Sequence, residues 1–396
     1  MNKNDSRTLI KNARIYTPGD VWDPGWMLVE DGLIRLMQPG EPPEFLQGSI
    51  DLSLDARQMH LLPGMIDVHV HGAVGFEVLD ASPEKLCEMA RFYARHGVTG
   101  FLPTTWTASR ADILRALTAI GQVMGPVENG SAVLGAHLEG PYLNPEKCGA
   151  QDVSLIRPAE RSEAMEFLGS GLVRMMTVAP EIPENKWLID ECVRRGITVA
   201  AGHTSVEYAE LKALSQGGVR QMTHTFNAMT SLNHREPGTV GAAMALNDID
   251  CQLIADNIHV HPAVMKILVN AKGTGRVILV TDAIRGAGLP DGDYAIDNRV
   301  VTIKDGAVRL PNGTLAGSTL TMDKALLNVM AAGQLSLAEA WPMASLNAAR
   351  SIGISNQKGS LEVGKDADLV LLDDAGKVHL TVVAGRVAWS EASLGD

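Results

Sequence analysis

Between Pro63 and Arg350, short apolar runs alternate with amphipathic stretches, and this alternation limits the fold more than any other feature of the chain. Eight of the runs read as strands: Met65–His71, Gly100–Pro103, Leu134–Glu139, Met175–Ala179, Thr198–His203, Gln221–His224, Gln252–Ala255 and Val277–Asp282. Short aliphatic runs bounded by Gly, Pro and polar residues are the mark of buried strands. Between them, Pro83–His96, Arg110–Met124, Glu160–Gly169 and Asn185–Arg195 carry apolar residues at helical spacing. Eight strand-then-helix units predict an α/β fold, a (β/α)8 TIM-like barrel, whose reactive groups gather at the C-terminal ends of the strands.

The flanks differ from this middle. Thr8–Ile10, Ala13–Tyr16, Trp26–Glu30 and Leu33–Met37 read as strands, and Glu30-Asp31-Gly32 is a hairpin turn between two of them. Asp368–Asp373, Val378–Val383 and Val387–Ser390 repeat the pattern at the other end. The expectation is a small β-sandwich domain assembled from both termini, residues 1–62 and 351–396, around a barrel spanning 63–350. One stretch, Gly286–Gly317, is too long for a barrel loop. With strand-like Val300–Lys304 and Val308–Leu310, it reads as an inserted hairpin forming a flap over the site.

Composition removes several classes of function. The net charge of −12 argues against nucleic acid as a partner, because phosphate backbones need a basic face. A small phosphorylated substrate is still allowed, since a few local donors bind it. The four cysteines, Cys87, Cys148, Cys192 and Cys251, are scattered without CxxC spacing, so neither a disulfide framework nor a thiolate zinc site is indicated. The polar start of the chain lacks an apolar signal core and no run is long enough to span a membrane, which predicts a cytoplasmic location.

The chemistry sits at the strand ends. In a strand, residues i and i+2 share a face, so His69 and His71 present two imidazoles side by side, able to share one metal ion. Asp67 is expected to orient one of them. Glu139 follows the apolar Leu-Gly-Ala-His-Leu, where a carboxylate is costly to bury unless paired or bound to metal; His137, on the same face, reads as a support. His203 and His224 are neutral-imidazole ligand candidates at neighbouring strand ends. Histidine suits zinc, iron and nickel alike. Asp282 closes the set at the eighth strand, where a carboxylate can take a proton from an attacking water and pass it to a leaving nitrogen. No Ser-His-Asp order or nucleophile elbow competes. The pattern points to metal-assisted hydrolysis.

These residues lie within longer motifs: PGMIDVHVHG, HLEGPYLNPEKCGAQ, AGHTS, THTFNAM followed by NHREPG, ADNIHVHP, LVTDA and LAGSTLTMDKAL. In this order and over essentially the whole length, they resemble the N-acetylglucosamine-6-phosphate deacetylase family of the amidohydrolase superfamily. The resemblance implies hydrolysis of an N-acetyl amino sugar 6-phosphate to the free amine and acetate. It implies Glu139, His203 and His224 as the main metal ligands, Asp282 as the catalytic aspartate, and His69 with His71 as the pair completing a second site. The cofactor implied is a divalent metal, with zinc expected and iron the alternative, one or two ions per subunit. Asn227 and the backbone of Ala228 match phosphate or sugar contacts, and His259 matches a substrate-binding histidine. Arg235 matches an arginine that reaches the neighbouring subunit's substrate phosphate, which implies a homodimer with shared sites.

In one place the chain departs from that pattern. The family usually carries a substrate-contacting histidine after Lys-Gly-x; here the segment is Lys147-Cys148-Gly149-Ala150-Gln151, and Gln151 cannot become cationic. Cys148 shares this loop. NHREPG, ADNIHVHP and GLPDG also resemble the N-acetylgalactosamine-6-phosphate deacetylases, which differ in substrate only at the 4-hydroxyl. A cyclic-amide hydrolase would use a lysine on the fourth strand, and Val173–Pro180 has none. A non-catalytic scaffold would have lost ligand positions, whereas every one is filled.

Overall fold

The computed structural model describes residues 7–47, 50–296 and 299–391. Eight parallel strands form the barrel: Met65–Val70, Val98–Thr105, Ala136–Glu139, Val173–Val178, Thr198–Ala201, Val219–Met222, Asp250–Ile254 and Val277–Val280, paired in that order. Every residue of the first two is buried, as expected of strands covered on both faces. The first and eighth strands are joined just past their ends. The Asp282 N–H donates to the His69 carbonyl at 2.9 Å, and the His71 N–H donates to the Ala283 carbonyl at 2.8 Å.

Local chemistry sets where the outer helices begin. Pro83–Arg95 starts on Ser82, whose hydroxyl accepts the Lys85 N–H, and its proline stands in the first turn where a missing N–H is harmless. Its buried Leu86, Met89, Ala90 and Tyr93 recur at helical spacing and face the strands. Arg110–Gln122 starts from Ser109 in the same way. Glu160, expected inside a helix, is instead the cap of Arg161–Gly169. Lys186–Arg194 likewise lies within its expected span.

The strand ends depart from expectation. The runs through His203, His224 and Asp282 stop pairing at Ala201, Met222 and Val280. The three ligand candidates sit beyond, in turns of left-handed backbone with φ of 48°, 29° and 49°. Each such residue costs about 1–3 kcal/mol, so the surrounding packing must impose it. Gly202 shows how tight that packing is: a Cβ there would lie 2.6 Å from the Thr223 Cβ.

The flanking strands form one continuous eight-stranded sheet. Its linking strand, His60–Pro63, runs parallel to Thr8–Tyr16 and antiparallel to Leu369–Leu372. Ile10, Ile15 and Met27 from the first leaf share one core with Leu369, Leu371 and Leu380 from the second. The two leaves of the sandwich are therefore hydrogen-bonded to each other through one strand.

The insertion after the eighth strand is larger than a hairpin. Gly292–Ile296, Arg299–Lys304, Ala307–Arg309 and Leu315–Ser318 make a four-stranded antiparallel sheet. Val301, Ile303 and Val308 pack against Trp106, Ala150 and Ile284, and Arg299 donates to the Ala150 carbonyl at 2.6 Å. This seats the insertion on the barrel mouth.

Candidate metal centre

Six side chains from the ends of five barrel strands converge. The Glu139 Oε1 lies 3.0 Å from the His224 Nε2, 3.3 Å from the His203 Nε2 and 3.4 Å from the His69 Nε2. Its Oε2 is 3.3 Å from the His71 Nε2. The Asp282 Oδ1 is 3.2 Å from the His71 Nε2 and 3.4 Å from that of His69. The ring nitrogens also face each other, at 3.2 Å for His69 and His71 and 3.0 Å for His203 and His224. Glu139 thus belongs to two triads, one with His69 and His71, the other with His203 and His224.

Partners behind the rings show which nitrogens face inward as lone pairs. The His71 Nδ1 lies 3.1 Å from the Thr104 carbonyl, the His203 Nδ1 2.8 Å from the Lys147 carbonyl, and the His69 Nδ1 3.0 Å from the Gln252 Oε1. Each partner is an acceptor, so each Nδ1 carries a proton and each Nε2 faces the centre, where a bound cation would meet it as a lone pair. Several lone pairs and two carboxylates then point at one small volume. Such a set repels itself unless a cation lies between. The Asp282 Oδ1 reinforces this: it is buried and meets no donor in hydrogen-bonding geometry. Ligand atoms about 2.1 Å from a tetrahedral zinc stand about 3.4 Å apart, close to the spacing here. The residues fit a divalent ion.

The electrostatics agree. Burial opposes ionisation of Glu139, but the imidazoles of His69, His203 and His224 hold its carboxyl well below the usual range. Burial likewise opposes charge on His71, yet Asp282 and Glu139 push its pKa up to about 10. The site therefore attracts positive charge strongly. His137 is different: burial drives it well below its ordinary value, and its Nε2 bonds the Thr177 hydroxyl at 2.8 Å. It supports the barrel interior beneath the centre.

Above the six residues is a pocket of about 340 Å³, a size suited to a small molecule. Asn227, Ala228, His259 and Asp282 line it, together with Trp106 and the insertion's Arg309 and Thr314. The His259 Nδ1 is 2.6 Å from the Asp256 carboxylate, which leaves its Nε2 free to turn toward a ligand. Gln151 uses its amide within the chain: its Oε1 accepts the Thr107 N–H at 2.8 Å and its Nε2 donates to the Glu139 Oε2 at 2.6 Å. Arg235 lies on the exposed stretch 231–237, and the pocket lining does not include it. Asp67 orients no imidazole. It accepts the Thr281 hydroxyl at 2.5 Å and the His69 backbone N–H at 3.1 Å, so it braces the backbone across the barrel seam.

Four residues here escaped the sequence reading. Gln252 backs His69; Asp256 backs His259; Trp106 stacks on the His71 ring at 3.9 Å; Arg309 brings a cation to the rim. A glutamine inside the apolar run Cys-Gln-Leu-Ile was the one available signal, because a buried amide must find partners. A second cavity of about 350 Å³ opens between the leaves of the small sheet, but its lining is mostly aliphatic and offers no ligand cluster.

Comparison with known proteins extends this geometry. Residues 60–388 match the Amidohydrolase family. The chain is 37% identical to the N-acetylglucosamine-6-phosphate deacetylase of Bacillus subtilis (strain 168), over 96% of this chain and 97% of that protein. It is 36% identical to the N-acetylgalactosamine-6-phosphate deacetylase of Escherichia coli O157:H7, over 96% and 99%. Its fold matches that of the Mycobacterium smegmatis N-acetyl-D-glucosamine-6-phosphate deacetylase, solved in complex with N-acetyl-D-glucosamine-6-phosphate. That match has a TM-score of 0.89 at 30% identity, covering 97% of this chain and 100% of the other.

Proposed function

The chain belongs to the amidohydrolase family, and from that premise we propose that it is a metal-dependent deacetylase of amino sugar metabolism. It hydrolyses N-acetyl-D-glucosamine 6-phosphate to D-glucosamine 6-phosphate and acetate. The observation that carries the reading is the pair of ligand triads sharing Glu139, with the Asp282 carboxylate beside them on the floor of the pocket.

Glu139 with His69, His71, His203 and His224 would hold a divalent cation, which would supply polarisation of the amide carbonyl and a water made nucleophilic near neutral pH. The chain's own residues do the rest. Asp282, held in a left-handed turn, takes a proton from the attacking water as the new C–O bond forms. It then delivers a proton to the nitrogen as the C–N bond breaks, so the amine leaves neutral with acetic acid, which gives its own proton to water to become acetate. His259, fixed by Asp256, offers its Nε2 as an acceptor to a sugar hydroxyl, while Asn227 and the Ala228 backbone hold its phosphate end. Gln151 steadies Glu139 in this chain, with its carboxamide turned from the sugar.

We take the metal to be zinc, with iron as the alternative, and the assembly to be a homodimer. The exposed stretch that carries Arg235 also carries Leu232, 54% exposed, and this supports its use as a subunit contact. From there Arg235 reaches the partner's substrate phosphate. Among the described residues no helix is long and apolar enough to cross a membrane. Since a phosphorylated sugar does not cross bilayers unaided, we place the enzyme with its substrate in the cytoplasm.

The test measures kcat/KM of zinc-loaded and iron-loaded enzyme on three substrates: N-acetylglucosamine 6-phosphate, N-acetylgalactosamine 6-phosphate and unphosphorylated N-acetylglucosamine. The first should be highest. A higher value for the galacto sugar moves the assignment to that substrate, and no hydrolysis of any of them ends the reading.

A further inference from the structure

Gln252 sits on the seventh barrel strand, fully buried and out of reach of the pocket. Its side-chain amide is fixed by a donor that cannot reverse. The backbone N–H of His224 points at one terminal atom from 3.3 Å, so that atom is the oxygen. The same oxygen lies 3.0 Å from the His69 Nδ1, which therefore carries a proton. The His69 Nε2 is left as a lone pair aimed at Glu139 and Asp282. On the far side, the Gln252 Nε2 donates to the Gln221 Oε1 at 3.0 Å and approaches the Met175 Sδ at 3.4 Å. Its own carbonyl accepts the Thr225 N–H at 2.8 Å, so the strand cannot slide.

We infer that Gln252 is the positioning residue that fixes the tautomer of His69, and that this lets the His69–His71–Glu139 half of the centre take up a divalent cation of its own. The inference rests on the metal reading above and goes beyond it by assigning control of one half to a residue that touches no ion. Without an acceptor at Nδ1, the His69 proton moves to Nε2, where it points at the His71 Nε2 only 3.2 Å away. A cation is then shut out of that half. The other half does not depend on this proton, because the tautomer of His203 is set by the Lys147 carbonyl.

Gln252→Leu tests this, with Gln252→Glu as the rescue. A glutamate restores the acceptor facing His69 and His224. Gln221, whose Nε2 is buried without a partner, can turn its amide over and donate to the new carboxylate. Metal-free protein is titrated with zinc and the bound ion is counted after dialysis, while 15N-labelled histidine reports the His69 tautomer. Wild type should hold two ions. Gln252→Leu should weaken one ion only slightly, through the His224 backbone N–H that loses its acceptor, and bind the second about 10–100-fold more weakly, with His69 moved to the Nε2–H form. Gln252→Glu should return both ions. Two ions held equally by Gln252→Leu overturn the inference, as does equal weakening of both. A wild type that hydrolyses substrate with a single ion also overturns it, yet leaves the hydrolase reading standing. A wild type that binds none fails both.

Discussion

The two histidine pairs of the centre are built by opposite means. His69 and His71 follow from plain strand geometry: they stand two residues apart at the end of the first barrel strand, both 0% exposed. His203 and His224 stand on left-handed turns past the ends of their strands, 5% and 4% exposed, and only the closed barrel imposes that backbone. Both rings of the first pair are backed, by Gln252 and the Thr104 carbonyl, whereas in the second the Lys147 carbonyl backs His203 and the buried His224 Nδ1 meets no hydrogen-bond partner. A strand supplies ligands cheaply but in a fixed direction. A strained turn costs stability and aims the side chain where periodicity would not put it.

Variants can break or sharpen this contrast. The largest effect belongs to the carboxylate common to both pairs: Glu139→Ala should release all bound metal and reduce hydrolysis to background, measured by metal analysis and acetate release. One ion retained would show that a pair stands without it. Asp282→Asn should lower kcat by about 10²–10⁴-fold, because proton transfer is lost, while bound metal stays near the wild-type count. Near-normal turnover would remove it from the reaction. Arg235→Ala should raise KM for the phosphorylated sugar roughly 10–100-fold, the worth of a charge-assisted hydrogen bond, and leave KM for the unphosphorylated sugar unchanged. An equal rise for both would refute its phosphate role. Ser109→Ala, which removes a helix cap that lines no part of the pocket, should cost about 1 kcal/mol in chemical denaturation with kcat untouched. Lost turnover there would mean that the mouth responds to the outer wall.

The contrast also explains what could be read in the chain. The His69–His71 pair was legible because two-residue periodicity is a property of sequence. The eight strands and the helices were legible because apolar spacing and serine caps are local. The left-handed turns at His203, His224 and Asp282 were not, since nothing in Gly-His-Thr or Thr-Asp-Ala marks a positive φ. Asp67 was misread because its partner, Thr281, lies 214 residues away and lends no local signal. Two contacts of the insertion, Arg299 on the Ala150 carbonyl and Arg309 at the pocket, depend on where the sheet folds back, which composition does not reveal. The notional hairpin was therefore two strands short.

The seam between the first and eighth strands passes directly through the centre, for the His69 carbonyl and the Asp282 amide bond each other there. A chain emerging from the ribosome holds His69 early but must wait until nearly three quarters of its length is made before Asp282 can join it. An ion in the His69–His71–Glu139 triad, which stands at that seam, would act as a rivet that a closed cylinder accepts best. Retained metal would thus report completed synthesis as well as readiness to react, and a nascent or clipped chain would be recognised by its failure to hold it.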